Sequence, residues 1–381
     1  MEKSKDKVDY SLITLLLLLF VTSCIAIYTA QEFGQYKGNF LFRQVTWYLV
    51  GFVMVLGVMY LDSEQILRLN WFIYSFSLIV LIALILAPES IAREINGAKS
   101  WFQLPGIGSL QPAEFTKISL IICLSYLVQK HHEKHIVKTL QTDLFLLLKM
   151  GAATVLPIIL IMRQPDLGTS LVLMCIFIGV LFVSGISWKI IGVIFTFVSL
   201  ATALIFYLVF LHPEIIKAMG FATYQLGRIY AWIDPESYKS GDGFNLTKAL
   251  LAIGSGGVNG YKGGGVYVPE AHTDFIFSVI SSKYGFIGSS ILITIYFLLI
   301  SHMVKLALEV KNSSESYLCA GVIAMIFFHV FENIGMNIGL VPITGIPLPF
   351  ISYGGSSLIG NMLAVGLIFS ISYRKRKYMF D

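Results

Sequence analysis

Charged residues are scarce in this chain of 381 residues. Asp, Glu, Lys and Arg together make up only 13% of it, about half the share found in an ordinary soluble domain. Hydrophobic residues make up 56%, and the mean hydropathy is +0.78. The excess apolar surface must therefore face lipid. The net charge of +5 does not indicate nucleic-acid binding, because excess Lys and Arg in a membrane protein usually mark cytoplasmic loops.

Cysteine and histidine are also rare, with four and seven residues, which are too few and too scattered for a disulfide framework. All four cysteines fall in apolar runs and are predicted to be small buried residues. Three histidines stand together among charged residues at 130–135. This pattern favours a solvated cytoplasmic loop over a metal site. The cysteines are Cys24, Cys123, Cys175 and Cys319.

Long apolar runs dominate the rest of the chain. A membrane-spanning helix needs about 20 mostly apolar residues, and ten segments meet this description. The first run continues past Val21–Cys24 and others follow it, so it is predicted to stay in the membrane rather than to be cleaved. The predicted fold is an all-α integral membrane protein, a single polytopic domain over residues 1–381. The ten segments cover about 11–30, 44–61, 71–88, 113–129, 144–162, 168–185, 188–211, 275–302, 317–337 and 354–373.

The distribution of basic residues predicts the orientation. An even number of spans places both termini on one side. Lys and Arg concentrate at the termini, as in the run at 374–377, and in the even-numbered loops. Basic residues are retained on the cytoplasmic side, so both termini are predicted to be cytoplasmic. The long loop between helices seven and eight, about residues 212–273, is then extracellular.

Three predicted outer segments are rich in Gly, Pro and aromatic residues, at about 96–114, 212–273 and 341–357. Non-helical backbone at membrane depth is tolerated only where it is buried in protein or lines a cavity. The three segments therefore predict an outward-facing cavity. The glycines at 254–265 would let backbone N–H groups approach a phosphate, although a flexible loop is the simpler interpretation.

Ionisable residues at the edges of apolar helices are costly and mark either function or tight pairing. Asp274 follows His272 and Thr273 where the long loop meets the eighth apolar segment. A partly desolvated carboxylate there would have a raised pKa and act as a general base. A helix N-cap is the structural alternative for the same residue.

Other polar groups also have two interpretations. Glu114 and Lys117, at i and i+3, share a helix face and form either a structural ion pair or a pair that tunes a base or holds a phosphate. Lys99, near Arg93 and Trp101, is suited either to lipid phosphates or to ordinary interfacial anchoring. A polar stripe follows at helical spacing and favours hydrogen bonds between helices. It consists of His329, Glu332, Asn333 and Asn337.

Five segments in this order resemble the SEDS family of peptidoglycan glycosyltransferases across nearly the whole chain. The HTDFIF and PFISYGGSS stretches are highly specific. The segment Pro342–Pro347 and the start of the QPDLGT stretch resemble the elongation (RodA-like) branch. The five segments are Gly97–Trp101, Gln111–Lys117, Gln164–Thr169, Pro269–Phe277 and Pro347–Ser357.

The resemblance implies a polymerase in the bacterial plasma membrane that acts on lipid II, a disaccharide-pentapeptide on undecaprenyl pyrophosphate. It also implies a class B penicillin-binding protein as partner. Asp274 corresponds to the family's essential acidic residue, and Glu114 and Lys117 to its QPxExxK pair. A divalent cation, Mg²⁺ or Mn²⁺, is the one cofactor left open, and no nucleic acid is involved. The expected supporting or substrate-binding residues are Glu114, Lys117, Lys99, Trp101, Arg228, His272, Thr273 and Ser356.

The chain departs from the family pattern after the HTDFIF stretch, where an acidic pair is common and this sequence reads Ser281-Ser-Lys283. This departure bears on rate, regulation or partner identity, and it gives some weight to a scaffold without activity. A lipid II flippase is the main alternative. The clustering of unusual segments on the outer face favours an enzyme. A division- or sporulation-type polymerase of the same family also remains open.

Overall fold

The computed structural model describes residues 9–32, 38–94, 98–104, 108–212, 214, 223–238, 241, 243–261 and 266–378. This part of the chain is mostly helical. The helices are α1 (Tyr10–Glu32), α2 (Phe40–Tyr60), α3 (Ser63–Arg68), α4 (Asn70–Leu86), α5 (Pro112–Lys134), α6 (Leu140–Met162), α7 (Leu167–Val183), α8 (Trp188–Leu211), α9 (Thr223–Ile233), α10 (Phe244–Gly256), α11 (Ile276–Glu309), α12 (Ser313–Asn337) and α13 (Gly355–Tyr378).

Each of the ten apolar segments identified in the sequence coincides with a helix of similar length. Seven helices in the described ranges are long and apolar enough to cross a membrane, namely α1, α2, α6, α8, α11, α12 and α13. Helices α4 and α7 are apolar but shorter. The all-helical expectation missed a small antiparallel hairpin, in which β1 (Phe102–Leu104) pairs with β2 (Gly108–Leu110).

The core is built around α5 and α12, whose side chains are buried along most of their lengths. Small residues allow neighbouring helices to approach closely, as is common in membrane proteins. A Cβ atom added at Gly179 would lie 2.3 Å from the Cβ atom of Ala324, and one added at Gly321 would lie 2.8 Å from Ile121 Cγ2. Helix α8, by contrast, buries little of its surface, which leaves it at the periphery.

The segments predicted to line an outer cavity contain more structure than a loop. Helices α9 and α10 lie within residues 212–273, while the glycines at 263–265 lie outside the described residues. Residues 341–354 are non-helical, yet the side chains of Ile346, Leu348 and Phe350 are buried. The carbonyl oxygens of Pro349 and Phe350 accept hydrogen bonds from tyrosine hydroxyl groups, so this buried backbone is satisfied as the membrane interior requires.

The histidines at 131–135 are not in a solvated loop, so that prediction was wrong for most of the cluster. Helix α5 continues to Lys134, which places His131 and His132 in its last turn, and His131 is buried. Within the described ranges, no group of three His, Cys, Asp or Glu side chains is arranged to hold a metal ion.

Candidate active site

Asp274 lies in a tight turn immediately before α11. The carbonyl oxygen of Glu270 accepts hydrogen bonds from the N–H groups of Thr273 at 3.1 Å and Phe275 at 3.2 Å. Glu270 itself has a φ of +49°, in the left-handed region that non-glycine residues rarely adopt. Phe275 is the N-cap residue of α11, and no side chain caps that helix. The structure therefore differs from the arrangement in which Asp274 serves as an N-cap.

The turn is also held from the segment that precedes α13. Ser352 Oγ donates a hydrogen bond to the carbonyl oxygen of Thr273 at 2.6 Å. The N–H of Tyr353 donates to the carbonyl oxygen of His272 at 2.8 Å. The imidazole of His272 packs against the ring of Tyr353, with centroids 5.8 Å apart. Burial lowers the pKa of His272, although the charge of Glu270 opposes this change. The backbone carbonyl groups of His272 and Thr273 thus help to fix the turn, and the hydroxyl group of Thr273 also donates to Glu270 Oε2 at 3.2 Å.

The polar stripe on α12 fixes the backbone of Asp274. The side-chain amide of Asn333 donates to the Asp274 carbonyl oxygen at 2.8 Å and to that of Ile346, also at 2.8 Å. Asn337 donates to the same Asp274 oxygen at 3.1 Å. One asparagine thereby joins the turn before α11 to the non-helical segment before α13. The predicted hydrogen bonds between helices are made by His329 to Lys117 of α5 and by Asn337 to Ser278 of α11. The bonds that position Asp274 run instead from the stripe to non-helical backbone.

The Asp274 side chain approaches the backbone of Gly345. A Cβ atom added at Gly345, where φ is +78°, would lie 3.4 Å from Asp274 Oδ2. Burial of the carboxyl group raises the pKa of Asp274 to about 7. The negative charges of Glu270 and Asp166 add to this increase, and the positive charge of Arg228 opposes it. A carboxyl group with this pKa is suited to accept a proton near neutral pH.

Arg228 is brought to the site by α9, a helix of the long loop. Its guanidinium donates a hydrogen bond to the carbonyl oxygen of Ile343 at 3.2 Å. One turn later on the same helix, the indole N–H of Trp232 donates to the carbonyl oxygen of Gly339 at 2.8 Å. These two contacts attach α9 to the segment that approaches Asp274. The site therefore places a cation and a carboxyl group of raised pKa in one electrostatic environment.

Glu114 and Lys117 form the predicted ion pair, but the pair is buried. Lys117 Nζ lies 2.6 Å from Glu114 Oε2, with side-chain exposures of 1% and 3%. The same ammonium lies 3.0 Å from His329 Nε2, and His329 Nδ1 lies 3.4 Å from the carbonyl oxygen of Pro347. Asn333, which holds Asp274, follows His329 by one turn of α12. The pair is thus connected to the site through α12 and has no open face toward it.

Lys99 is engaged at the end of a helix. The ammonium of Lys99 donates to the carbonyl oxygens of Ile85, at 3.2 Å, and Ala87. These groups are at the C-terminal end of α4, where unpaired carbonyl oxygens attract cations. Trp101 is partly buried beside the hairpin. The predicted basic and aromatic patch therefore completes a helix terminus in this conformation.

Ser356 also has a connecting role. Its hydroxyl group accepts a hydrogen bond from the N–H of Gln111 at 3.0 Å and donates to the carbonyl oxygen of Ser109 at 3.3 Å. The Gln111 side chain donates to Asp166 Oδ2 at 3.0 Å. Asp166 also accepts hydrogen bonds from the N–H group of Thr169 at 2.9 Å and its hydroxyl group at 2.8 Å. The starts of α5, α7 and α13 are joined by this network.

Sequence reasoning did not select Asp166 or Glu270 as site residues, although both raise the pKa of Asp274. Each lies inside a motif that was noted, Asp166 in 164–169 and Glu270 in 269–277. The available signal was one further carboxylate in each of two motifs on the same predicted side, Asp166 alone in its motif and Glu270 beside Asp274 in the other. Only the fold shows that these charges act on one group.

Comparison with known proteins identifies the family. The family FtsW/RodA/SpoVE, described as a cell cycle protein family, matches residues 7–377. A "Probable peptidoglycan glycosyltransferase FtsW" from Trichlorobacter lovleyi is 32% identical over 380 residues, covering 96% of this chain and 93% of that protein. The "Peptidoglycan glycosyltransferase MrdB" of Escherichia coli K12 is 31% identical over 381 residues, covering 97% and 95%.

A solved structure supports the same assignment. The chain matches, with a TM-score of 0.79, a structure described as "Structural coordination of polymerization and crosslinking by a peptidoglycan synthase complex". The identity is 26%, and the match covers 97% of this chain and 98% of that one. The chain belongs to the FtsW/RodA/SpoVE family, which confirms the resemblance found in the sequence.

Proposed function

We propose that this protein is a peptidoglycan glycosyltransferase that polymerises lipid II, with Asp274 as its general base. The observation that carries the proposal is a partly buried Asp274 carboxyl group in a turn held by Asn333 and Asn337, with a pKa raised to about 7 by burial and lowered in part by the charge of Arg228. A general base works best when its pKa lies near the working pH. The relatives named as peptidoglycan glycosyltransferases support the same activity.

In the proposed step, a sugar hydroxyl oxygen of the acceptor attacks the anomeric carbon of the donor. The hydroxyl proton passes to the Asp274 carboxylate as the new C–O bond forms. The bond between the anomeric carbon and the pyrophosphate oxygen breaks, and its electron pair leaves with undecaprenyl pyrophosphate. A nearby cation stabilises the charge that develops on the leaving group.

Three cations were candidates for that last role, and their surroundings favour Arg228. Its charge acts on Asp274, whereas Lys117 is enclosed with Glu114 and His329. Lys99 is bound to the end of α4. We assign Arg228 to the departing pyrophosphate, and Glu114 and Lys117 to positioning Asp274 through α12.

The proposal includes a topology of ten spans in the bacterial plasma membrane, with both termini cytoplasmic and the long loop outside. The ten helices that coincide with the apolar segments and the excess of basic residues at one side support it. Substrate then reaches Asp274 from the outer face. The solved peptidoglycan synthase complex favours a class B penicillin-binding protein as partner, which would crosslink the glycan product.

The elongation-type role within the family rests on the Pro342–Pro347 segment and the start of the QPDLGT stretch. The relatives carry both division-type and other names at nearly equal identity, so a division- or sporulation-type role is the second candidate. Where the family commonly has an acidic pair, this chain has Ser281-Ser-Lys283. The ammonium group of Lys283 lies 3.6 Å from Glu32 in an exposed ion pair. That substitution lies outside the hydrogen bonds that hold Asp274.

The test uses purified full-length protein with lipid II, with and without a class B penicillin-binding protein, and glycan products separated on a gel. Asp274→Asn keeps the shape of the side chain but removes the base, and we expect product formation to fall by roughly 10²–10⁴-fold. Asp234→Asn is the matched control, because Asp234 is exposed in the same loop and bonds only locally to Ser237.

Two results would contradict the proposal. Full polymerisation by the Asp274→Asn protein would remove Asp274 from the chemistry. If wild-type protein formed no glycan but carried lipid II across liposome membranes, the flippase would replace the polymerase. Equal melting temperatures for the two variants would show that loss of activity does not reflect loss of folding.

A further inference from the structure

A cavity lined by several charged side chains lies at the end of α5 opposite Glu114. It has a volume of about 710 Å³ and opens to the surface between α4, α5 and α6. Sixteen residues of α5 separate Glu114 from Lys130, a rise of about 24 Å at 1.5 Å per residue. The cavity is therefore distinct from the candidate active site. It is lined by Trp71, Tyr126, Leu127, Lys130, His131, Glu133, Lys134 and Lys149.

A hydrogen bond between α4 and α6 lies near this cavity. The hydroxyl group of Tyr74 on α4 donates to the carbonyl oxygen of Ala153 on α6 at 2.6 Å. Trp71 lies one turn before Tyr74, and Lys149 lies one turn before Ala153, so the two helices that carry these lining residues are joined close to the cavity. The Trp71 ring is half-exposed and meets the edges of Tyr74 and Tyr126, each at 6.3 Å between centroids.

Three lysines face this cavity, against one glutamate. The glutamate is already engaged, because Glu133 Oε2 lies 2.6 Å from Lys130 Nζ. Lys149 lies 4.1 Å above the ring centroid of Phe145, and no carboxylate in the described part of the chain lies within salt-bridge distance of it. The cavity thus has a net positive charge and an ammonium group with an aromatic neighbour but no acidic partner.

The position of Lys149 makes this charge unusual. It is the tenth residue of α6, about 14 Å from the start of an otherwise apolar helix, where a cation is costly unless it meets a partner. Its side chain leans toward the N-terminal end of the helix, and therefore into the cavity. The outer surfaces beside the cavity are apolar, with Phe72 73% exposed and Leu148 69% exposed.

We propose that this cavity binds the phosphate headgroup of an anionic phospholipid, with its acyl chains along the exposed faces of α4 and α6. The lysines supply the charge for the phosphate, and Trp71 and Tyr126 supply the aromatic groups typical of the membrane interface. Basic cavities between helices at the cytoplasmic side commonly bind such headgroups. The apolar surroundings favour a lipid over free phosphate, because free phosphate has no acyl chains to pack against them.

The test is native mass spectrometry of the full-length protein in detergent, titrated with phosphatidylglycerol or, separately, phosphatidylcholine. Lys149→Gln should weaken phosphatidylglycerol binding about fivefold, the contribution expected of one lysine at a membrane surface. Lys189→Gln removes one charge from an exposed position at the same end of the molecule, outside the cavity, and should leave binding unchanged. Glu133→Gln removes the only carboxylate in the lining and should strengthen binding.

The proposal is overturned if Lys149→Gln and Lys189→Gln behave alike, or if phosphatidylcholine binds as well as phosphatidylglycerol. It is also overturned if millimolar inorganic phosphate displaces the lipid, which would make free phosphate the ligand. Opposite effects of Lys149→Gln and Glu133→Gln would support it, since a merely structural role for these residues does not predict tighter binding. The measurement does not depend on polymerase activity.

Discussion

The pKa of Asp274 makes a specific prediction for the pH dependence of polymerisation. A general base is active only when ionised, so kcat/KM should rise with pH and level off above the pKa of the free enzyme. With a pKa of about 7, about 10% of Asp274 is ionised at pH 6 and about 90% at pH 8. The expected change in kcat/KM between these two values is therefore roughly tenfold.

The charges around Asp274 predict how the rising limb of the kcat/KM–pH profile should move along the pH axis. Glu270→Gln removes a negative charge that raises the pKa of Asp274, so the limb should shift to lower pH. A glutamine there keeps a side-chain oxygen able to accept the hydrogen bond that Thr273 Oγ1 donates at 3.2 Å. Arg228→Gln removes the positive charge that lowers the same pKa, so its limb should shift to higher pH.

The assay is the initial rate of lipid II polymerisation at substrate concentrations below KM, between pH 5 and 9, for wild type and both variants. The position of the limb is independent of the height of the plateau, so a lower maximal rate for Arg228→Gln does not obscure the result. Opposite shifts assign the limb to Asp274. His272 is the nearest alternative, and its pKa is governed by burial and by the charge of Glu270. Shifts in one direction for both variants, or none, would refute the reasoning.

Two further predictions concern the residues that surround the site. Lys117→Met leaves Glu114 buried without its ion-pair partner and should lower the free energy of unfolding by about 3–5 kcal/mol. The measurement is the melting temperature in detergent, which should fall. The double variant Glu114→Gln with Lys117→Met should recover part of that loss, and equal losses in both would contradict the pairing argument. Lys99→Met should cost only about 0.3–1 kcal/mol, as expected for a cation at a helix C-terminus. It should leave kcat/KM unchanged, whereas a large fall in kcat/KM at normal stability would restore Lys99 to substrate binding.

Much of the fold could be predicted because its strongest signal is local. An apolar run of about 20 residues forms a helix in lipid wherever its neighbours lie, since every backbone group must bond within the segment. The ten predicted segments accordingly coincide with helices, with ends that differ by up to seven residues. The turn at Arg163–Asp166 is tight, with α6 ending at Met162 and α7 beginning at Leu167. The end of α5 was missed because charged residues continue a helix beyond the apolar stretch.

The site could be predicted only in part, because a motif gives the residue type but not its surroundings. The sequence indicated Asp274 as an acid at a costly position, and it indicated Glu114 and Lys117 as a pair. It did not show that Asn333 would hold both Asp274 and Ile346, since those contacts join segments far apart in the chain. Nor could spacing distinguish Lys99, which completes a helix terminus, from Arg228, which acts on the carboxyl group.

Three parts of the fold hold the candidate base and its surroundings in place. Burial is the largest cause of the raised pKa of Asp274, and it persists only while the carboxyl group is held away from water. The asparagines of α12 hold its backbone, Ser352 holds the carbonyl group that precedes it, and α9 brings Arg228 from the long loop. Of these, only α9 comes from that loop. Movement of α9 would therefore change the charge beside Asp274 without moving the base itself, and the limb of the pH profile would report that movement directly.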